Sequence, residues 1–299
     1  MNSVVAVVVT YNRLSLLQEA IEALKIQTIP VRKIVIVNNG STDGTKEWLA
    51  IQQSLTVINQ ENTGGSGGFY TGIKHSAKLG HSWIWVMDDD TICAATALEK
   101  LLEKQPLFSD KKVGFICSKV VWRDGLPHNM NLPDVKLLFN KKVPFTTYDH
   151  HKVLLAEGCS FVSVLLSTDV VKEVGLPYKD FYIWGDDQEY TRRITQAGYL
   201  GIYCSDSVVL HKTANNHRAY IYTDNPKNLW KHAYGFRNEF FMVRKNKGLI
   251  YYLLYVAARV TYGTFKIIKT RKTDRWEFIK VLFSSAWKSF FFNPEIEML

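Results

Sequence analysis

Four short apolar runs fall within the first 90 residues, and each ends in a polar loop. They are Val4–Val9 (VVAVVV), Lys33–Val37 (KIVIV), Leu55–Asn59 and Trp83–Met87 (WIWVM). Between them apolar residues recur at helical spacing: Leu14, Leu17, Ala20, Ile21 and Leu24 up to Gln27, then Thr45–Gln53, then about Phe69–Leu79. Runs of four to eight β-branched or aromatic residues read as buried strands, and their alternation with helices predicts a mostly parallel sheet covered on both faces. In open sheets of this kind ligands bind outside the carboxyl ends of the strands. The polar clusters Thr10–Arg13, Asn38–Asp43, Asn62–Gly68 and Asp88–Asp90 all lie at such ends, so the pattern predicts four loops converging on one rim.

Further along, strands are expected at Val113–Ser118 and Gly158–Leu166, and helices at Thr168–Val174 and Gln188–Ala197, with Gly198 as a helix stop. Val121–Lys152 has no clear period and reads as a long loop or hairpin, the kind of insertion that covers a site. Near Asn225-Pro226 the chain turns basic and aromatic. Lys227–Leu299 holds 14 Lys and Arg against 5 Asp and Glu, whereas the first 226 residues balance at 23 of each sign. The net charge of +9 therefore sits in the last quarter, and two regions are expected, 1–226 and 227–299. With 46% hydrophobic and 22% charged residues, the 299-residue chain is not disordered, collagen-like or a disulfide framework. Cys93, Cys117, Cys159 and Cys204 form no C-x-x-C pair, so reduced thiols are expected. Val4–Val9 lacks a basic leader and reads as a first strand rather than a secretory signal, which makes an intracellular protein the expectation.

Asp88-Asp89-Asp90 directly follow the WIWVM run. Adjacent carboxylates repel one another, and a bound cation relieves that repulsion. In an extended segment i and i+2 face the same side, so Asp88 and Asp90 aim at one ion while Asp89 points elsewhere. Oxygen ligands favour Mg²⁺ or Mn²⁺; the alternative is a solvated acidic turn. Asn62–Phe69 (NTGGSGGF) packs Gly64, Gly65, Gly67 and Gly68 around Ser66. Its backbone N–H groups can approach an anion ahead of a helix N-terminus, or it is a plain flexible turn. Trp184–Glu189 (WGDDQE) is a second acidic cluster at an expected helix start. One aspartate there serves as an N-cap, but two aspartates and a glutamate beside Trp and Gly exceed capping, and such a carboxylate can act as general base on a sugar hydroxyl. His211 ends the apolar run before it. A lone histidine is most often structural, yet with aspartates it would suit manganese. The other histidines lack metal-ligand spacing and read as surface residues.

In the tail, Gly248–Ile268 carries ten apolar residues in LIYYLLYVAA, too few to span a bilayer, with Arg259 near the middle of the stretch. Aromatic residues interleaved with basic ones fit a helix lying in a membrane interface, with Lys266, Lys269, Arg271, Lys272 and Arg275 on anionic headgroups. The alternative is a helical subdomain with a solvated basic face. No nucleic-acid motif is present, and nucleic acid is not an expected partner.

Taken in order, TYNR (Thr10–Arg13), NNGSTDGT (Asn38–Thr45), NTGGSGGF, MDDD (Met87–Asp90), WGDDQE and His211 resemble glycosyltransferase family 2, inverting enzymes of GT-A fold. The likeness is greatest to bacterial galactofuranosyltransferases and rhamnosyltransferases, and the motifs span about 200 residues. The resemblance implies that Asp88 and Asp90 are metal-binding aspartates of a D-x-D element and His211 the third protein ligand. It places Asp89 near the donor sugar, makes Asp187 the catalytic base and has Asp186 orient the acceptor. Thr10, Arg13, Asn39 and Gly64–Gly68 would line the nucleotide–pyrophosphate region, with Trp184 in the donor site. Asn38 departs from the family, which usually has aspartate there, and leaves uracil or thymine open.

The expected protein is thus a Mn²⁺- or Mg²⁺-dependent inverting glycosyltransferase, with a Rossmann-like GT-A domain and a C-terminal helical, basic-aromatic region. Its preferred donor is UDP-galactofuranose, with dTDP-rhamnose as the rival. The acceptor is expected to be a lipid-linked cell-surface glycan at the inner face of a bacterial cell membrane, where the tail attaches peripherally; an oligomer is left open. Readings from other classes are a nucleotidyltransferase and a non-catalytic glycan-binding module.

Overall fold

Strand β1 (Val4–Thr10) shows how the chain layers itself in the structure, a computed structural model that describes residues 3–108, 112–216 and 218–299. All seven of its residues are buried, as a strand covered on both faces requires. Val4, Ala6 and Val8 face one core with Leu17, Ile21 and Leu24 of helix α1 (Leu14–Lys25). Val5, Val7 and Val9 face the other, where Phe69, Ile73 and Ala77 of α3 (Gly64–Ala77) pack. The remaining elements of the first half are β2 (Lys33–Asn39), α2 (Thr45–Ala50), β3 (Thr56–Gln60), β4 (Trp83–Asp88), β5 (Thr91–Cys93) and α4 (Ala97–Lys104). There follow β6 (Val113–Val121), β7 (Leu138–Phe139), β8 (Val143–Pro144), β9 (Val153–Leu155), β10 (Val164–Ser167), α5 (Thr168–Val174), α6 (Asp186–Gln196) and β11 (Leu200–His211). Helices α7 (Leu229–Lys247), α8 (Leu249–Thr270) and α9 (Arg275–Phe291) end the chain.

Among the described residues the main sheet has nine strands, in the order β3-β2-β1-β4-β10-β6-β11-β5, with β9 on β11. The first four are parallel, β10 runs antiparallel between β4 and β6, and β6 and β11 are parallel to each other. This is the mixed, mostly parallel α/β architecture the alternating pattern predicts. The register aligns the strand ends, Val9 beside Asp88 and Thr10 beside Asn38. β5 pairs antiparallel with the end of β11, setting Thr91 opposite His211.

Several local expectations change. The glycine run is not a turn ahead of a helix that starts near Phe69: α3 begins at Gly64, and the glycines form its first turns. The reason is packing. A Cβ on Gly68 would lie 2.4 Å from Val9 Cγ1, and one on Gly72 2.4 Å from Val7 Cγ1, so glycine lets α3 press onto β1. The strand expected at Gly158–Leu166 is confined to Val164–Ser167, because Cys159–Ser163 form a buried irregular segment ending in Ser163 at φ 63°. Helix α6 starts two residues early and takes Asp186 and Asp187 into its first turn. The Val121–Lys152 stretch contains the small β7–β8 hairpin. His128 and His232, read as surface residues, are buried.

The chain forms two compact units. One comprises Met1–Lys179, Asp187–His217 and Ile296–Leu299, and the other Asp180–Asp186 and Arg218–Glu295. The second has its own core, built from Tyr222, Phe236 and Phe240 with Tyr252 and Val260 of α8 and Phe278 and Leu282 of α9. No helix among the described residues is long and apolar enough to cross a membrane. The four cysteines are buried and unpaired.

Candidate active site

The acidic triplet leaves β4 at the sheet rim, and its three carboxylates are held differently. Asp89 accepts hydrogen bonds from Thr10 Oγ1 (2.8 Å), the Tyr11 backbone N–H (3.3 Å) and Arg13 Nη1 (3.2 Å). The same Arg13 nitrogen donates to Asp90 Oδ2 at 2.6 Å. The other oxygen of Asp90, Oδ1, lies 3.0 Å from His211 Nε2. It is buried and makes no hydrogen bond of good geometry. One ligand atom each from Asp88, Asp90 and His211 all fall within 4.8 Å of one another. His211 reaches this place through the β11–β5 pairing, which sets it opposite the residue after Asp90.

The electrostatics follow from the crowding. Burial, and after it the neighbouring Asp90, push the Asp88 carboxyl up to about 7. Burial pushes Asp89 up to about 6 against the pull of Arg13. Burial opposes charge on Asp90 as well, but His211 and Arg13 outweigh it and hold that carboxyl below its ordinary value. For His211, burial works against the charged ring and the Asp90 and Asp88 carboxylates overcome it, raising its pKa. Two carboxylates, an imidazole and an orphaned buried oxygen fit a hard divalent cation such as Mn²⁺ or Mg²⁺.

Asn39 is buried, and its amide is committed to the turn that leads into α3. It donates to the Gly64 carbonyl (2.9 Å) and accepts from Gln60 Nε2 (2.9 Å) and the Thr63 N–H (3.2 Å). Gly64 holds φ 74°, and a Cβ on Gly65 would meet nothing within 4 Å, so the helix start is open at that position. Ser66 Oγ is buried without a hydrogen bond, while Gly67 and Gly68 are packed. Asn38 donates to Asn59 Oδ1 (2.8 Å) and accepts from the Ser41 N–H (3.1 Å).

Asp187 stands in the first turn of α6 and accepts from the Gln188 N–H at 2.7 Å. Burial pushes its carboxyl up to about 6 against the backbone N–H groups around it, that of Phe161 among them. Asp186 is buried at the start of the same helix. In the second unit Trp184, at φ 64°, sets its ring edge-on to His232 and against Gly235, and its carbonyl accepts from Asn238 Nδ2 at 2.9 Å. The structure thus brings Thr10, Arg13, Asp88, Asp89, Asp90 and His211 into one cluster and Asn39 with Gly64 into another.

Sequence reasoning missed two residues that build the site. Asn131 accepts from His211 Nδ1 at 2.8 Å, and His128 packs against the His211 ring at 4.6 Å between centroids, tilted by 42°. Both come from the aperiodic Val121–Lys152 stretch, some 80 residues from His211, and no spacing in the sequence marks them.

Residues 5–175 match the pattern of glycosyl transferase family 2. The galactofuranosyltransferase GlfT1 of Mycobacterium tuberculosis is 30% identical over 216 residues, which cover 70% of each chain. The O-antigen chain rhamnosyltransferase RfbN of Salmonella typhimurium is 25% identical over 213 residues, 69% of this chain and 65% of that one. Among solved structures, GalNAc-T7 with UDP, GalNAc and Mn²⁺ superposes with a TM-score of 0.61 at 15% identity. That match covers 95% of this chain and 54% of the other, so this chain spans about half of that protein and the likeness is one of fold.

Proposed function

The chain belongs to glycosyl transferase family 2, and on that premise we propose that it is an inverting, metal-dependent enzyme that transfers galactofuranose from UDP-galactofuranose to a lipid-linked cell-surface glycan. Membership makes it a glycosyltransferase and sets aside the nucleotidyltransferase and binding-module readings. Asp88, Asp90 and His211 would hold Mn²⁺ or Mg²⁺, whose charge would stabilise the departing nucleotide diphosphate. Asp187 takes the proton from the acceptor hydroxyl. A carboxyl raised to about 6 by burial is ionised at neutral pH yet more basic than a free aspartate, which is what general-base work needs. The hydroxyl attacks from the face opposite the leaving group, inverting the anomeric centre, and Asp186 orients the acceptor. Thr10, Arg13, Asn39 and Gly64–Gly68 would line the nucleotide–pyrophosphate region, with Asp89 near the sugar.

The observation that carries this reading is the Asp88–Asp90–His211 cluster with its orphaned Asp90 oxygen. The donor rests on the likeness to galactofuranosyltransferase GlfT1 at 30% identity. dTDP-rhamnose is the second reading, favoured by the likeness to a rhamnosyltransferase; Asn38, where relatives of this type usually carry aspartate, leaves uracil or thymine open. In this reading residues 1–226 carry the transfer and 227–299 meet the inner face of the cell membrane, where a lipid-linked acceptor lies. Transfer and donor hydrolysis measured across UDP- and dTDP-sugars, with Mn²⁺, Mg²⁺ or EDTA, test it. UDP-galactofuranose turnover that EDTA abolishes is expected; turnover indifferent to EDTA would overturn the metal role.

A further inference from the structure

We propose that Asn131 is a positioning residue that fixes the tautomer and orientation of the His211 ligand and ties it to the segment against which Asp187 is held. This rests on the metal site proposed above. In the structure Nδ2 of the Asn131 amide donates to Ser160 Oγ at 2.9 Å, and Oδ1 accepts from His211 Nδ1 at 2.8 Å. An acceptor on Nδ1 puts the ring proton there and leaves the lone pair on Nε2, the atom beside Asp90 Oδ1. Outer hydrogen bonds of this kind fix ring orientation and raise the basicity of a metal-bound histidine.

The amide is itself anchored. The Asn131 N–H donates to the His128 carbonyl at 3.0 Å. His128 is fully buried, bonded through Nε2 to Thr213 Oγ1 (2.8 Å), and packed at a tilt against the His211 ring, which limits rotation of that ring. On the far side, Ser160 is buried between Cys159 and Phe161. The Cys159 N–H donates to Thr191 Oγ1 (3.0 Å), and that hydroxyl donates to the Asp187 carbonyl (2.7 Å). One side chain thereby joins the backbone that holds the candidate base to the ring that completes the cation site.

Mn²⁺ titration calorimetry on the full chain with UDP present tests this. Asn131→Ala is expected to weaken Mn²⁺ about 10–100-fold, and Asn131→Asp, which keeps an acceptor for the Nδ1 proton, to bind about as tightly as the unsubstituted protein. A residue that only braces its loop would lower the melting temperature and leave the dissociation constant of the folded protein in place. Equal Mn²⁺ affinity in Asn131→Ala overturns the proposal and leaves the metal site standing, whereas no Mn²⁺ binding by the unsubstituted protein removes the site itself.

Discussion

Arg13 Nη1 lies 2.6 Å from Asp90 Oδ2, so one oxygen of a buried carboxylate is held by a cation while the other faces His211. The same nitrogen also meets Asp89, which makes Arg13 the counter-charge of two buried acids. Arg13 itself is half exposed, and solvent screens part of the effect, so Arg13→Gln is expected to cost about 1–2 kcal/mol near pH 7.5. The pH dependence has a definite sign. Asp88 and Asp89 are raised in the fold to about 7 and about 6, so the folded state binds more protons than the unfolded one between about pH 4 and 7. These two acids therefore give up stability as pH rises through that window, and Arg13→Gln should deepen their share of the loss. Melting curves of the metal-free protein and of Asp88→Asn at low and neutral pH check this; a pH dependence unchanged in Asp88→Asn would contradict the burial argument.

Asp187→Asn removes the candidate base while keeping an oxygen that can accept the Gln188 N–H. General-base catalysis is worth about 10²–10⁴-fold, and a loss of transfer of that order is expected with UDP and Mn²⁺ binding nearly unchanged. In the unsubstituted enzyme the base works ionised, so kcat/KM should rise with pH through about 6 and level off above it. Donor binding lost in parallel with transfer would move Asp187 from the chemistry to donor binding.

The strands and the rim they form were legible because buried parallel strands write themselves as uninterrupted apolar runs with polar residues at their ends. The glycine run misled, since glycines that allow a helix to press on Val9 and glycines in a loop look alike in one dimension. His211 could be flagged by its residue type, but its place beside Asp90 depends on the antiparallel β5–β11 pairing, a contact across more than a hundred residues. Asn131 was illegible for the same reason, its partners being distant in the chain. The second unit's capture of Asp180–Asp186 is set by Arg237 and Asn238, whose side chains donate to the Asp180, Phe181, Ile183 and Trp184 carbonyls. No periodicity announces such bonds.

Gly68→Ala separates packing from ligand binding in the glycine run. The added methyl would lie 2.4 Å from Val9 Cγ1 inside a close-packed layer, and overpacking of this kind costs about 1–3 kcal/mol. Gly65→Ala meets open space and should leave stability within about 0.5 kcal/mol. A further Val9→Ala change should restore part of what Gly68→Ala loses. Chemical denaturation of the three variants measures this. Equal stability of Gly68→Ala and the unsubstituted protein would return the glycine to a role in binding alone.

The outer face of α8 is the place where membrane attachment is to be tested. Ile250, Leu254, Tyr262, Phe265 and Ile268 are all exposed along it, while Tyr252, Val260 and Ile267 fill the core of their unit on the other side. Arg259, the charge that breaks the apolar stretch in sequence, turns to Glu239 (3.2 Å) and the Tyr222 hydroxyl (2.9 Å), so it does not interrupt that face. Lys266 and Lys269 lie toward the end of the helix, with exposed Trp276 and Trp287 on α9. Apolar area beside basic residues binds anionic bilayers by partition and by charge together. The chain is expected to sediment with vesicles containing phosphatidylglycerol, less as salt is raised, and Leu254→Glu with Phe265→Glu should reduce that about tenfold or more while Mn²⁺ binding persists. A chain that instead dimerises through this face, with the dimer lost in the double variant and no vesicle binding, would assign the surface to a second copy.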